Sequence, residues 1–169
     1  MNARLYCTHD TYGSDYNSYY KYTQKRTKNK NKGKRVKRLV MSLLVASATY
    51  AGTFSTIGIE QFKKLQATGV PVMDIRTPYE WKDTGIIKGS HKIMFFNERG
   101  EALSKKWFEA LGKIYKDNTK PIILYCAHAN RSKSLGKWLA SDKVGFNKVY
   151  ELKGGIMYGW IDKGQPIVK

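Results

Sequence analysis

The segment Pro121–Ser132, PIILYCAHANRS, holds the residues whose types and spacing best suit chemistry. Pro121–Tyr125 is a short apolar run bounded by turn residues, the pattern of a buried strand in a parallel sheet. Cys126 follows it directly. Ala127, His128, Ala129 and Asn130 then make a short loop, and Arg131 and Ser132 open a helix. Open α/β folds place their sites where strands hand over to helices, at the carboxyl edge of the sheet. Successive backbone N–H groups in so tight a loop can converge into an anion nest. The helix start adds a partial positive charge. Both effects favour the thiolate of Cys126, the form in which a cysteine is a nucleophile. A competing reading needs no chemistry: an unpaired cysteine that ends a core strand, since free cysteines are among the most buried residues.

The elements that would position this loop are legible around it. Thr53–Ile57 reads as a first strand. Ile59, Phe62 and Leu65 share a helix face that Gly69 ends. Val70–Ile75 reads as a strand with Pro71 tolerated near its start, and Thr77-Pro78 breaks it. Tyr79–Thr84 is a turn or short helix carrying Glu80 and Trp81, and a further strand lies near Lys92–Phe95. Asn97–Leu103 is polar, with a turn at Gly100. Ser104 is expected to cap a helix from Lys105 to about Tyr115, with Trp107, Leu111 and Ile114 on one face. After the cysteine loop, Leu135, Trp138 and Leu139 form a buried stripe. Lys148–Leu152 alternates as the last strand, Gly154-Gly155 turns the chain, and Ile156–Trp160 begins a short helix. Strands alternating with helices at this spacing argue for an α/β fold with a mostly parallel sheet covered on both faces.

The N-terminal third has a different character. The 169-residue chain carries a formal charge of +18, and residues 1–51 hold 11 Lys/Arg against 2 Asp/Glu. Residues 1–35 are polar, rich in tyrosine and then lysine, with no apolar period, and are expected to be disordered. Residues 36–51 combine a basic flank (Arg35, Lys37, Arg38), an apolar core from Leu39 to about Ala46 and small residues around Ala46-Ser47-Ala48 and Thr49-Tyr50-Ala51. These are the parts of a secretory signal peptide, which points to a periplasmic or otherwise exported protein. The apolar run is short of the roughly 20 residues of a membrane span, so membrane contact is expected only in transit. The basic extension is long for a signal, which suggests a natural start at Val36 or Met41. A short buried helix behind a basic tail is the alternative. The folded domain is expected over 52–169.

Cys7 and Cys126 are the two cysteines. With the signal removed, Cys126 is left as a free thiol. No C-x-x-C or Cys/His cluster of zinc type is present, and His91 and His128 are too separated to argue for a metal. Gly154-Gly155 lacks a G-x-G-x-x-G pattern, so no nucleotide or flavin cofactor is indicated. The later part of the basic tail has no interleaved aromatics to stack bases, so no nucleic-acid partner is expected.

Three blocks, in order, give the domain a family likeness. The first is Asp74-Ile-Arg76-Thr-Pro-Tyr-Glu80-Trp81 with Gly85-Ile-Ile-Lys-Gly-Ser90. The second is Cys126–Ser132, and the third is Leu152-Lys-Gly-Gly-Ile156 with Trp160. Together they resemble the single-domain rhodanese family of sulfurtransferases over roughly residues 53–165. The resemblance implies a three-layer fold with a central sheet of about five strands. It also implies ping-pong sulfur transfer through a Cys126 persulfide. The donor would be a small anionic sulfur compound such as thiosulfate or a persulfide. The acceptor would be cyanide or a thiol, including an exported thiol protein. On this reading Ala127, His128, Ala129, Asn130, Arg131 and Ser132 form the loop that holds the persulfide, with no cofactor and no metal. His128 would shape access rather than act as a base. Asp74, Arg76 and Glu80 would brace the site, and Arg131 either braces the loop or touches substrate.

Two positions depart from the family pattern. Many thiosulfate-preferring members carry a basic residue where this chain has Ala127, and Ala129 replaces the usual glycine. Alanine fits freely only if that position does not need a positive φ; otherwise it costs about 1 kcal/mol. Lys133 could restore some of the missing positive charge. Three rivals stay open, one of them nucleic-acid binding through the basic tail, which predicts steep salt dependence and fails if residues 1–51 are cleaved. A cysteine phosphatase of the related dual-specificity type has five residues between Cys and Arg, and this loop has four. A non-catalytic rhodanese-like binding module is the third, although such modules typically lack the cysteine.

Overall fold

The computed structural model describes residues 52–169. The basic extension, the signal segment and Cys7 lie outside the described residues. Five strands alternate with helices: β1 (Thr53–Ile57), α1 (Ile59–Ala67), β2 (Val72–Asp74), α2 (Pro78–Thr84), β3 (His91–Lys92), α3 (Ser104–Ile114), β4 (Pro121–Tyr125), α4 (Asn130–Leu139), β5 (Lys148–Leu152) and α5 (Gly155–Gly159). The strands form one sheet in the order β1-β5-β4-β2-β3. Every pairing is parallel. Parallel neighbours need crossovers, and the crossover helices α1, α3 and α4 cover the faces of the sheet, while α2 buries no residue.

Two apolar layers result. On one face Met73, Ile122, Leu124 and Val149 pack with Trp107, Phe108 and Leu111 of α3 and Leu135 and Leu139 of α4. On the other, Val72, Ile123, Tyr125 and Leu152 pack with Phe62 of α1 and Ile156 of α5. Alternate residues of β4 thus enter opposite layers, the two-residue period of a strand buried on both sides. Gly136 lets α4 approach the sheet closely, because a Cβ there would lie 2.4 Å from the Phe54 ring.

Several local expectations are corrected. Ser104 does not cap α3; it is the first helical residue, buried, with Leu103 at the cap position and no side-chain cap bond. The covered face of α3 is Ser104, Trp107, Phe108 and Leu111, while Ile114 is 40 % exposed. The strand expected over Val70–Ile75 is only Val72–Asp74. The strand expected near Lys92–Phe95 is the two-residue edge His91–Lys92. Beyond Lys92 the Ile93 and Phe95 N–H groups still donate to the Asp74 and Ile75 carbonyls at 3.0 and 3.2 Å, and the Phe95 side chain enters the aromatic cluster around Trp107, whose ring lies 5.4 Å away edge to face.

Candidate active site

Cys126 sits where β4 ends, at the carboxyl edge of the sheet. It is only 1 % exposed. Its neighbours open into a cavity of ≈ 930 Å³ lined by the cysteine loop, Thr77 and Glu80 of the α2 start, and residues 96–100. A thiol so recessed is reached by slim terminal groups.

The loop is held on three sides. Behind it, the N–H of Ile156 donates to the Cys126 carbonyl at 2.9 Å and that of Met157 to the Ala127 carbonyl at 3.0 Å. This clamp requires Gly155: its φ is +65°, and a Cβ would stand 2.4 Å from the Ala127 oxygen. The third sequence block therefore serves the second, by pinning the loop carbonyls outward. The amides of residues 127–131 make no backbone hydrogen bond among the described residues. They remain available to an anion beside the sulfur.

At the loop's far end Arg131 forks onto Glu80. Its Nη1 donates to Oε2 at 2.9 Å, and Nη2 donates to Oε1. Glu80 is itself held by a capping box at the start of α2. Its Oε2 accepts from the Thr77 N–H at 3.0 Å, while the Thr77 side chain accepts from the Glu80 N–H. Burial opposes both charges, yet the Arg131 bonds and the Thr77 amide hold the Glu80 carboxyl below its ordinary range. Burial likewise opposes charge on Arg131, and the bonds to Glu80 outweigh it and raise the guanidinium's pKa. Two planar groups in bidentate contact make a strong, directional pair.

Asp74 and Arg76 lie beneath this pair and do not line the cavity. Arg76 donates Nε to Asp74 Oδ1 at 2.9 Å and Nη2 to Oδ2 at 2.7 Å. The same guanidinium reaches the Gly85 carbonyl at 2.7 Å and Thr84 Oγ1 at 2.6 Å, tying the end of α2 to the end of β2. On the opposite rim His128 and Asn130 are exposed. The His128 ring packs 4.8 Å from the exposed ring of Tyr158.

Ala129 does occupy the left-handed region, with φ 68°, and is the one non-glycine residue to do so among the described residues. The tight reversal between strand and helix demands it, at a cost of about 1–2 kcal/mol for a residue with a Cβ. Ser132 is fully buried, and its Oγ lies 3.5 Å from Cys126 Sγ and 3.1 Å from the Ala129 carbonyl.

Two parts of the site escaped sequence reasoning. The segment 96–100 reads as a polar turn but walls the cavity. It is stiffened by Asn97, whose side-chain oxygen accepts from the Arg99 and Glu101 amides at 3.0 and 2.8 Å. Glu151 reads as one polar position of an alternating strand, yet it is buried beneath Ser132, 3.4 Å from its Oγ. The available signal was a charged residue inside a strand whose two faces must both be covered. Among the described residues no cluster of three or more His, Cys, Asp or Glu is placed to hold a metal ion.

Comparison with known proteins bears on the family and the fold. A family model for the rhodanese-like domain matches residues 59–162. The chain belongs to the rhodanese-like domain family. Thiosulfate sulfurtransferase GlpE of Ectopseudomonas mendocina is 32 % identical over 102 residues, spanning 60 % of this chain and 81 % of that protein. The tRNA uridine(34) hydroxylase of Chlamydia felis is 30 % identical over 105 residues, 59 % of this chain. The match covers only 29 % of that hydroxylase, so the likeness is to one part of it. Among solved structures, the polysulfide-sulfur transferase homodimer of Wolinella succinogenes superposes with a TM-score of 0.52 at 24 % identity, over 68 % of this chain and 78 % of that one. At that identity it bears on the fold. A Rhodopseudomonas palustris protein described as a possible tyrosine phosphatase gives 0.51 at 25 % identity, over 68 % and 85 %. The five-stranded parallel sheet with helices on both faces is that of rhodanese-like proteins, and the homologues of this rhodanese-like domain include sulfurtransferases.

Proposed function

We propose that the protein is a sulfurtransferase that carries a sulfane sulfur on Cys126. The observation that carries this reading is a recessed cysteine at the end of β4, in a loop of four residues closed by the Arg131–Glu80 fork. The Cys126 thiolate attacks the outer sulfur of the donor. A bond forms between the two sulfurs as the donor's own S–S bond breaks, and sulfite or a thiolate leaves with the electron pair. The resulting persulfide ends in an anionic sulfur that the loop amides and the α4 start stabilise. Cyanide or a thiolate then attacks that terminal sulfur and releases the Cys126 thiolate.

Ala127 adds no charge to the cavity, and Arg131 is committed to Glu80. Both features favour a persulfide or polysulfide donor over doubly charged thiosulfate. A phosphate with its oxygens suits a larger ring of amides, which disfavours phosphatase chemistry. Export through residues 36–51 belongs to the same proposal and rests on their basic flank, apolar core and small-residue sites. It makes an exported thiol protein a natural acceptor.

Intact mass of the purified protein after incubation with thiosulfate, and separately with a persulfide donor, tests the chemistry. The expected result is a gain of one sulfur, removed by cyanide and absent in Cys126→Ser. No gain with either donor would leave the binding-module reading in its place. N-terminal sequencing of the mature protein tests export; residues 1–35 found still attached would overturn it.

A further inference from the structure

Glu151 is 0 % exposed and forms no salt bridge among the described residues. It stands on β5 with Thr56 of β1 and Leu124 of β4 as its ladder partners. In a parallel sheet such partners share a face, and here that face lies under α4. A carboxylate in this position needs hydrogen bonds or a proton to be tolerable. One bond is present: Thr56 Oγ1 donates to Oε1 at 2.7 Å. The other oxygen, Oε2, lies 3.4 Å from Ser132 Oγ. The Ser132 hydroxyl has one proton and three acceptors within reach: Glu151 Oε2, the Ala129 carbonyl at 3.1 Å and Cys126 Sγ at 3.5 Å. Cys126, Ser132 and Glu151 therefore form a continuous buried chain from the nucleophile into the sheet.

We propose that Glu151 is the proton acceptor for Cys126, acting through the Ser132 hydroxyl. As the Cys126 S–H proton passes to Ser132 Oγ, the Ser132 proton passes to Glu151 Oε2. The products are a thiolate and a neutral carboxylic acid, with no change of oxidation state. The acid then donates to Ser132, and Ser132 donates to the sulfur. Formation of the anion thus leaves it with a hydrogen-bond donor, and as long as the proton is shared the buried pair carries one negative charge rather than two. When Glu151 is ionised the Ser132 proton turns towards it, and the sulfur keeps its own.

The surroundings fit this role. Burial raises the Glu151 pKa, partly offset by the Thr56 bond, the Lys133 charge and the Ser132 bond. From β1 and β4 the ladder partners Thr56 and Leu124 are uncharged. From α4 the charged neighbour is Lys133. The Arg131 charge acts on the Cys126 end of the chain. Glu151 is a positioning residue, since it touches the reacting sulfur only through Ser132. The inference rests on the sulfur-transfer reading only in taking Cys126 as the nucleophile.

The test is the pH dependence of Cys126 alkylation by iodoacetamide in the full chain, followed on the Cys126 peptide by mass so that Cys7 is not counted. Two coupled groups sharing a proton give wild type a two-step profile. Glu151→Gln should collapse it to one step, with its midpoint about one pH unit or more below the upper wild-type step. Ser132→Ala should also give one step, displaced to higher pH because the thiolate loses its donor. Identical profiles in wild type and Glu151→Gln overturn the proposal. On wild-type protein alone, the ¹³C-labelled Glu151 carboxyl, followed by NMR, should shift its titration when Cys126 is alkylated. A carboxyl that titrates in the ordinary range and ignores alkylation overturns the proposal even if the variants do not fold. Sulfur loading is scored separately: a collapsed profile without persulfide formation would retire the sulfurtransferase reading and leave the relay standing.

Discussion

Two arginine–carboxylate pairs stand one behind the other in this domain. Arg76–Asp74 is buried on both sides, with side-chain exposures of 1 % and 0 %. Arg131–Glu80 is at 30 % and 25 %. The chemistry is the same and the setting is not. Arg76 spends every polar atom inside the protein, on Asp74, Thr84 and Gly85, and so joins β2 to α2. Removing either partner strands a charge in a low-dielectric interior. Arg131 faces the cavity, and its carboxylate is already held by the Thr77 cap. Water can partly replace a lost partner there. The inner pair governs whether α2 is in place; the outer pair governs where the cysteine loop sits.

The sharpest break of this contrast is at the inner pair. Asp74→Asn or Arg76→Met should lower stability by about 3–5 kcal/mol, the cost of uncovering a buried charge. Urea unfolding reads the loss. A loss near 1 kcal/mol would mean that the two pairs are equivalent.

At the outer pair the weights reverse. Arg131→Gln should slow sulfur loading by about 10- to 100-fold, as expected for a small displacement of a reacting loop, and cost only about 1 kcal/mol of stability. Stopped-flow rates with a persulfide donor check this. Glu80→Gln should slow loading similarly if Arg131 braces the loop. An unchanged rate in Glu80→Gln would assign Arg131 to substrate instead.

Ala129→Gly relieves the left-handed strain next to Arg131 and should add about 1 kcal/mol, seen as a higher midpoint of thermal unfolding.

The smallest effect separates two carboxyls, half-buried Glu80 and buried Glu151, by sign. The folded pKa of Glu80 lies below its unfolded value, so its contribution is complete above the ordinary carboxylate range and is lost as pH falls through the depressed value. Glu151 is raised, so its contribution is complete below the ordinary range and is lost as pH climbs through the elevated one. In urea titrations across pH, Glu80→Gln should flatten the acid limb. Glu151→Gln should flatten the decline on the other side.

The alternating pattern was legible because each element announces itself locally. The five apolar residues before Cys126, the Thr77-Pro78 break, the stripe of Leu135 and Leu139 and the Gly154-Gly155 turn are all short-range signals. The pairing of Arg131 was not legible, since Glu80 lies 51 residues away in the chain. The edge at β3 was misjudged because an aromatic cluster, not local propensity, decides where Phe95 points.

By itself, the sequence determined the order of strands and helices, the covered faces of the sheet, and the single cysteine of the domain at a strand end. Those follow from period, turn chemistry and residue type, which act within a few residues. Only the tertiary structure decided that Ala129 is left-handed, that Gly155 clamps the loop, that residues 96–100 wall the cavity, and that Glu151 sits under Ser132. Each of these depends on elements distant in the chain being packed together. Burial and charge at the site are properties of that packing, not of any residue alone.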